Sequence, residues 1–247
     1  MRILHTSDLH GNWRLPTAFQ DFDVWVDSGD FFPNASRGTA IEPAYQNTWL
    51  TRDKLAFLKS AKPLVRNLHP GESGWLPPDR RQPPFEGSIV KCLAEWLAGR
   101  PALSVPGNHD YTDLAAALRD AGAHAGNLTA GRATLGGTRF AGLREIPWIE
   151  GEWAGESRDP ELRAAVDRAM SADPEVLVSH SPASGILDLS DGKGGHVGIV
   201  PLSQWLTYRP HNVRLVLHGH VHEQPFVTRE MDITFSNAAQ TARVIEI

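Results

Sequence analysis

The sequence predicts an α/β fold. Three observations predict it. Short, β-branched apolar runs stop abruptly at turn residues, as buried strands do. Amphipathic patterns of helical spacing fall between those runs. The polar residues just after the runs are rich in Asp, His and Asn, and in open α/β sheets ligands bind at the carboxyl ends of the strands.

Taken in order, the first strand is Arg2 to Leu4, which leads into HTSDLHGN. The second is Phe22 to Val26, followed by DSGD. A helical pattern covers Tyr45 to Ser60, and Leu64 to Gly87 is a long irregular surface loop rich in Pro, Gly and charge. Loops of that length in a compact domain are usually functional or disordered, so this one is a candidate lid or specificity element. Helix Ser88 to Ala98 precedes the strand Ala102 to Val105, which runs into PGNHD, and helix Asp113 to Ala121 follows. Arg132 to Leu143 alternates about Gly136-Gly137 and predicts a hairpin. Helix Pro160 to Ser171 starts on a proline, which suits the first helical position. Strand Glu175 to Val178 leads into SHSP, helix Leu202 to Tyr208 follows Pro201, and strand Val213 to Leu217 leads into HGHVH. From Asp232 to Ile247 the chain alternates again with no helix between, which predicts a second, partly antiparallel sheet. No repeat or linker divides the chain, so residues 1–247 read as one domain with an irregular insertion at about 64–87.

Composition narrows the class. At 41% hydrophobic and 21% charged residues the chain can build a core. A formal charge of -5 speaks against a general nucleic-acid surface, while a local basic patch stays open. The one cysteine, Cys92, excludes an intramolecular disulfide and reads as a core residue of the helix SIVKCLAEWLAG. The N-terminus has no signal-like apolar run and no segment approaches a membrane span, so a cytoplasmic protein without a membrane partner is expected. Most of the eight tryptophans are expected in the core.

The strand ends supply the chemistry. Asp8 and His10 follow the first, Asp30 the second, Asn108, His109 and Asp110 the third, His180 the fourth, and His218, His220 and His222 the last. Carboxylate, imidazole and amide oxygen without thiolate suit divalent ions such as Mn, Fe, Zn, Co or Ni. Singly, each of these residues reads as a cap or turn residue.

As an ordered set, D-x-H, G-D, G-N-H-D, H and G-H-x-H, they resemble the calcineurin-like metallophosphoesterase superfamily. The resemblance implies a four-layer αββα sandwich of two mixed sheets flanked by helices. It also implies two divalent ions: Asp8, His10 and His222 on one, Asn108, His180 and His220 on the other, with Asp30 bridging. Hydroxide held between the ions would attack phosphorus. His109 would be the general acid, with Asp110 orienting it. SHSPASGILD followed by GGHVG resembles the small MPPED-type and related prokaryotic phosphodiesterase branch, although Ala183 stands where a second proline is common. A small phosphodiester is therefore the expected substrate. A phosphomonoesterase, a nuclease and a non-catalytic metal-binding scaffold are the alternatives.

Three further residues stay open. His218 either supports a metal ligand or caps its strand. His196 is either a substrate-side group or part of a flexible glycine-rich turn. Asn12 is either a phosphate contact or a turn residue. Arg80-Arg81 reads as a solvated pair. Oligomeric state is not legible.

Overall fold

The computed structural model describes residues 1–32, 86–110, 113–129, 131–149, 153–191 and 195–247. The predicted helix at 45–60, the Arg80-Arg81 pair and the loop from residue 64 up to residue 85 lie outside these. Among the described residues the chain runs β1 (Arg2–Ser7), α1 (Arg14–Thr17), β2 (Val24–Asp27), α2 (Glu86–Leu97), β3 (Ala102–Ser104), α3 (Leu114–Asp120), β4 (Ala125–Asn127), β5 (Arg132–Leu135), β6 (Thr138–Leu143), β7 (Ile146–Pro147) and β8 (Glu156–Ser157). It continues with α4 (Asp159–Met170), β9 (Val176–Ser179), β10 (Leu189–Ser190), β11 (Gly195–His196), α5 (Val200–Tyr208), β12 (Leu215–His218), β13 (Val227–Glu230), β14 (Ile233–Asn237) and β15 (Thr241–Glu246).

Two large mixed sheets result. The first has the order β15-β1-β2-β3-β4, and the second β13-β14-β12-β9-β6-β5. Strands β1 to β4 run parallel, with β15 antiparallel on β1. In the second sheet β6, β9, β12 and β14 are parallel, and β5 and β13 are antiparallel edges.

Alternation along each strand builds the layers. Ile3, Val24, Val26, Leu103, Val176, Val178, Leu215 and Leu217 point between the sheets and form one apolar cluster. Leu4, Trp25 and Ala102 point the other way, onto α2 and α3. Leu177, Val216 and Phe235 point onto α4 and α5. The order of layers is therefore helix, sheet, sheet, helix, as the resemblance implies. Among the described residues no helix is long and apolar enough to cross a membrane.

Several sequence expectations need correction. The first strand does not stop at Leu4 but continues through His5, Thr6 and Ser7, all fully buried. Their polar groups are paired, which is what permits burial. His5 bonds Ser28 Oγ at 3.0 Å on one side and Ser236 Oγ of the opposite sheet at 2.9 Å on the other. Helix α2 takes in Glu86 and Gly87, which the sequence reading places in the irregular insertion. Cys92 is exposed, not core. It lies about 100° round the helix from Leu93, at the margin of the stripe formed by Ile89, Val90, Leu93 and Leu97. Among the described tryptophans only Trp25 is fully buried, and Trp148 is well exposed. The two alternating segments at the C-terminus do not share a sheet: β14 joins the second and β15 crosses to the first.

Candidate metal centre

The site lies at the carboxyl ends of β1, β2, β9 and β12 and in the turn after β3. The chain must turn sharply off each strand to aim a short side chain into the cleft between the sheets. Asp8, His10, Asp30 and His220 accordingly take positive φ, between 44° and 68°. Such angles are uncommon outside glycine. Glycines make room for the rest. A Cβ on Gly107 would collide with the Asp30 carboxylate, and one on Gly219 with Ser7 and Asp8. Gly29 (φ +106°) faces the backbone of Gly107 and the ring of His180.

Two groups of donor atoms converge. Asp8, His10 and His222 offer ligand atoms within 4.8 Å of one another, and so do Asp8, Asp30 and His180. Asn108 Oδ1 lies 2.9 Å from His180 Nε2, and His180 Nε2 lies 3.5 Å from Asp30 Oδ2. The rings of His180 and His220 are 5.0 Å apart between centroids. His10 lies 5.3 Å from His109 and 5.5 Å from His222 by the same measure. The structure thus gathers all seven proposed ligands and His109.

Electrostatics bind the cluster. Burial pushes the Asp8 carboxyl up, but the His222 hydrogen bond at 3.1 Å and the nearby His180 hold it well below its ordinary value. Asp30 behaves likewise: burial raises it, and His180 and His109 hold it low. His180 is opposed by burial yet raised to about 10, chiefly by Asp30. Its two ring nitrogens face Ser28 O at 2.8 Å and Asn108 Oδ1 at 2.9 Å. Burial lowers His220 to about 3 and His109 to about 4. An anion placed beside His109 would raise its value.

The donor set fits divalent ions. Two ionised, fully buried carboxylates call for cationic partners. His10 Nδ1 is buried without a hydrogen-bond partner, as an unused imidazole donor would be. The Nδ1 of His180, held by the Ser28 carbonyl, presents Nε2 to the cleft, a usual arrangement for ligating histidines.

One expected role changes, and the open residues take definite surroundings. Asp110 does not orient His109. Its carboxylate accepts from the backbone N–H groups of Phe31 (3.3 Å), Phe32 (3.1 Å) and Gly107 (3.0 Å), and so ties the Asp30 turn to the Asn108 turn. His109 Nδ1 has no hydrogen-bond partner. His218 is buried in β12 opposite Asn237, and neither ring nitrogen makes a hydrogen bond, so it does not steady a ligand that way. Asn12 is a turn residue, its N–H donating to Leu9 O and its carbonyl accepting from Leu15 N–H. His196 forms a pair with Asp188.

Sequence reasoning missed Trp153. Its ring meets that of His109 edge-on at 4.5 Å, and the next residue, Ala154, donates its N–H to the Asn108 carbonyl at 3.1 Å. No spacing rule links residue 153 to residue 109. Ser28 was missed as well, because it acts partly through its backbone carbonyl.

Comparison with known proteins gives the family. The model of the calcineurin-like phosphoesterases matches residues 1–224, which include every residue of the centre. The chain belongs to the calcineurin-like phosphoesterase family. A search of curated proteins found no match. Among solved structures, a 5'-nucleotidase precursor from Thermus thermophilus is similar at 14% identity with a TM-score of 0.40. The alignment covers 98% of this chain and 52% of that protein, so the chain spans about half its length.

Proposed function

We propose that this calcineurin-like phosphoesterase hydrolyses small phosphodiesters at a centre of two divalent metal ions. One observation carries the reading: aspartate, histidine and asparagine donors from five separate strand ends meet in one cleft, in the order of the family pattern. In this reading Asp8, His10 and His222 hold one ion, Asn108, His180 and His220 the other, and Asp30 reaches both. Such ions, when bound, supply Lewis acidity and an activated water. Oxygen and imidazole donors suit Mn, Fe, Zn, Co or Ni, and manganese is the first to supply in vitro.

The chain's own groups do the rest. The Ser28 carbonyl fixes the His180 ring. The His220 N–H and the Ser7 hydroxyl hold Asp8 Oδ2, at 2.8 and 2.7 Å, leaving Oδ1 for the cleft. The His109 N–H holds Asp30 Oδ1 at 2.7 Å. The His109 ring stands 3.8 Å from Asp30 Oδ2, at the mouth of the donor cluster, where it gives a proton to the departing alkoxide. The Trp153 ring packs edge-on against that of His109. The diester preference rests on the SHSPASGILD and GGHVG segments and their likeness to the phosphodiesterase branch.

Initial rates on bis(p-nitrophenyl) phosphate, p-nitrophenyl phosphate and 2′,3′-cyclic AMP test this, with chelator-stripped protein and Mn²⁺ restored. Diester turnover should require Mn²⁺ and vanish in Asp30→Ala. His109→Ala should keep its metal and lose roughly 10²- to 10⁴-fold in kcat on the cyclic nucleotide. The loss should be smaller on the nitrophenyl esters, whose leaving group departs without a proton. Preference for the monoester would make the protein a phosphomonoesterase instead.

A further inference from the structure

Asp188 and His196 form a second, separate polar device beside the centre. Asp188 is buried at 1% exposure. Its Oδ2 accepts from Gly198 N–H at 3.2 Å, and its carbonyl from Val197 N–H at 3.0 Å. The remaining oxygen, Oδ1, lies 2.6 Å from His196 Nδ1. The carboxylate is thus fixed by backbone on one side and grips an imidazole with the other. The His196 side chain is 57% exposed, so its outer nitrogen, Nε2, faces solvent. A buried carboxylate that sets the tautomer and tilt of an exposed imidazole is a costly arrangement for a residue with nothing to bind.

Its position gives it something to bind. His196 lies across from Leu189 in the β10–β11 ribbon. On one side Leu189 N–H donates to Gln224 Oε1 at 2.8 Å and the Ser190 hydroxyl reaches Glu223 at 3.4 Å. Those two residues directly follow His222. On the other side Ile199 N–H donates to Pro182 O at 2.8 Å, and the Ser181 hydroxyl to Val197 O at 3.4 Å. Those two directly follow His180. The ribbon is therefore pinned to the loops that carry one proposed ligand of each ion, and His196 is carried on that ribbon.

We propose that His196 binds the alcohol half of the substrate. With Nδ1–H committed to Asp188, Nε2 meets a hydroxyl on that half, as a sugar or polyol ester would present. Asp188 is a positioning residue that acts through His196. The proposal rests on the phosphoesterase reading above, and its test separates the two.

Steady-state kinetics of the Mn²⁺-loaded protein with 2′,3′-cyclic AMP, which carries hydroxyl on its alcohol half, and bis(p-nitrophenyl) phosphate, which does not, provide that test. His196→Gln should raise KM for the cyclic nucleotide about tenfold, as the loss of one good hydrogen bond does, with kcat within about threefold. Metal content should stay at the wild-type level, and the effect on the nitrophenyl diester should be at least about threefold smaller. Asp188→Asn should act in the same direction, with the melting temperature as control. An equal effect on both esters, or none on the cyclic nucleotide, overturns the proposal. If the wild type cleaves neither diester, the phosphodiesterase reading fails. Calorimetric titration with adenosine 5′-monophosphate then decides for His196: about tenfold weaker binding in His196→Gln supports it. Equal affinity, or no binding to the wild type, overturns it.

Discussion

Asp8, His10, Asp30 and His220 each hold a backbone angle that L-residues avoid. Each such residue costs on the order of 1–3 kcal/mol, which the surrounding fold must offset. Here the offset is visible as hydrogen bonds donated by their own backbone N–H groups: Asp8 N–H to Gly29 O, His10 N–H to Asp30 O, and His220 N–H to the Asp8 carboxylate Oδ2. Another residue of the same region is also held against its preference. Asp27 is fully buried, and burial, with Asp110 and Asp8 adding to it, pushes its carboxyl well above 3.8 despite hydrogen bonds from Thr6 and Gly29. Between that unfolded value and the raised folded one, the folded protein carries a proton that the unfolded chain lacks. Stability at this site is therefore present at low pH and is lost as pH rises through the folded value. Asp27→Asn removes the dependence. Denaturant midpoints from pH 4 to 7 should show the variant gaining on the wild type with rising pH, by at most about 1.4 kcal/mol per unit. A constant difference would mean that Asp27 is not the group responsible.

At the scale of elements, strand ends and glycines build the centre together. Gly219 separates His218 from His220, and the space where its side chain would be is filled by Ser7 and Asp8. Gly219→Ala should displace the Asp8 carboxylate. Metal content by elemental analysis should fall to near zero, with a destabilisation of about 1–3 kcal/mol, the usual cost of overpacking. The seven candidate ligands were legible because each follows a short apolar run, and their order carries the family pattern. The hairpin at β5–β6 was legible because alternation flanks Gly136-Gly137. The end of β1 was not, since His5, Thr6 and Ser7 look like a loop until the partners of His5 and Thr6, 21 to 231 residues away, are known. Nor was the separation of β14 from β15, because alternation gives a strand its faces but not its sheet. The Asp110 role failed for a related reason: adjacency to His109 in sequence places the two side chains in different directions.

For the whole molecule, the sandwich sets two ionised carboxylates at the seam of its sheets. Divalent ions that bind only the folded chain should stabilise it. At a hundredfold excess over Kd this amounts to about 2.7 kcal/mol, or a melting temperature higher by roughly 5–10 °C for a chain of this size. Differential scanning calorimetry of chelator-treated protein with and without Mn²⁺ checks this, and Asp30→Ala should show little of the increase. An unchanged melting point in the wild type would argue that the cluster does not take up the ion.

The pairing of β1 with β15 has a mechanical consequence. Met1 N donates to Ile247 O at 2.8 Å, and Ile247 N–H returns a bond to Met1 O at 3.0 Å. From there the antiparallel ladder runs from Arg2 opposite Glu246 to Ser7 opposite Thr241. A force that draws residues 1 and 247 apart loads these bonds one after another, as in a zipper, rather than all at once in shear. Resistance to such a pull is low, and the tear travels along β1 toward Asp8, reaching the cleft last.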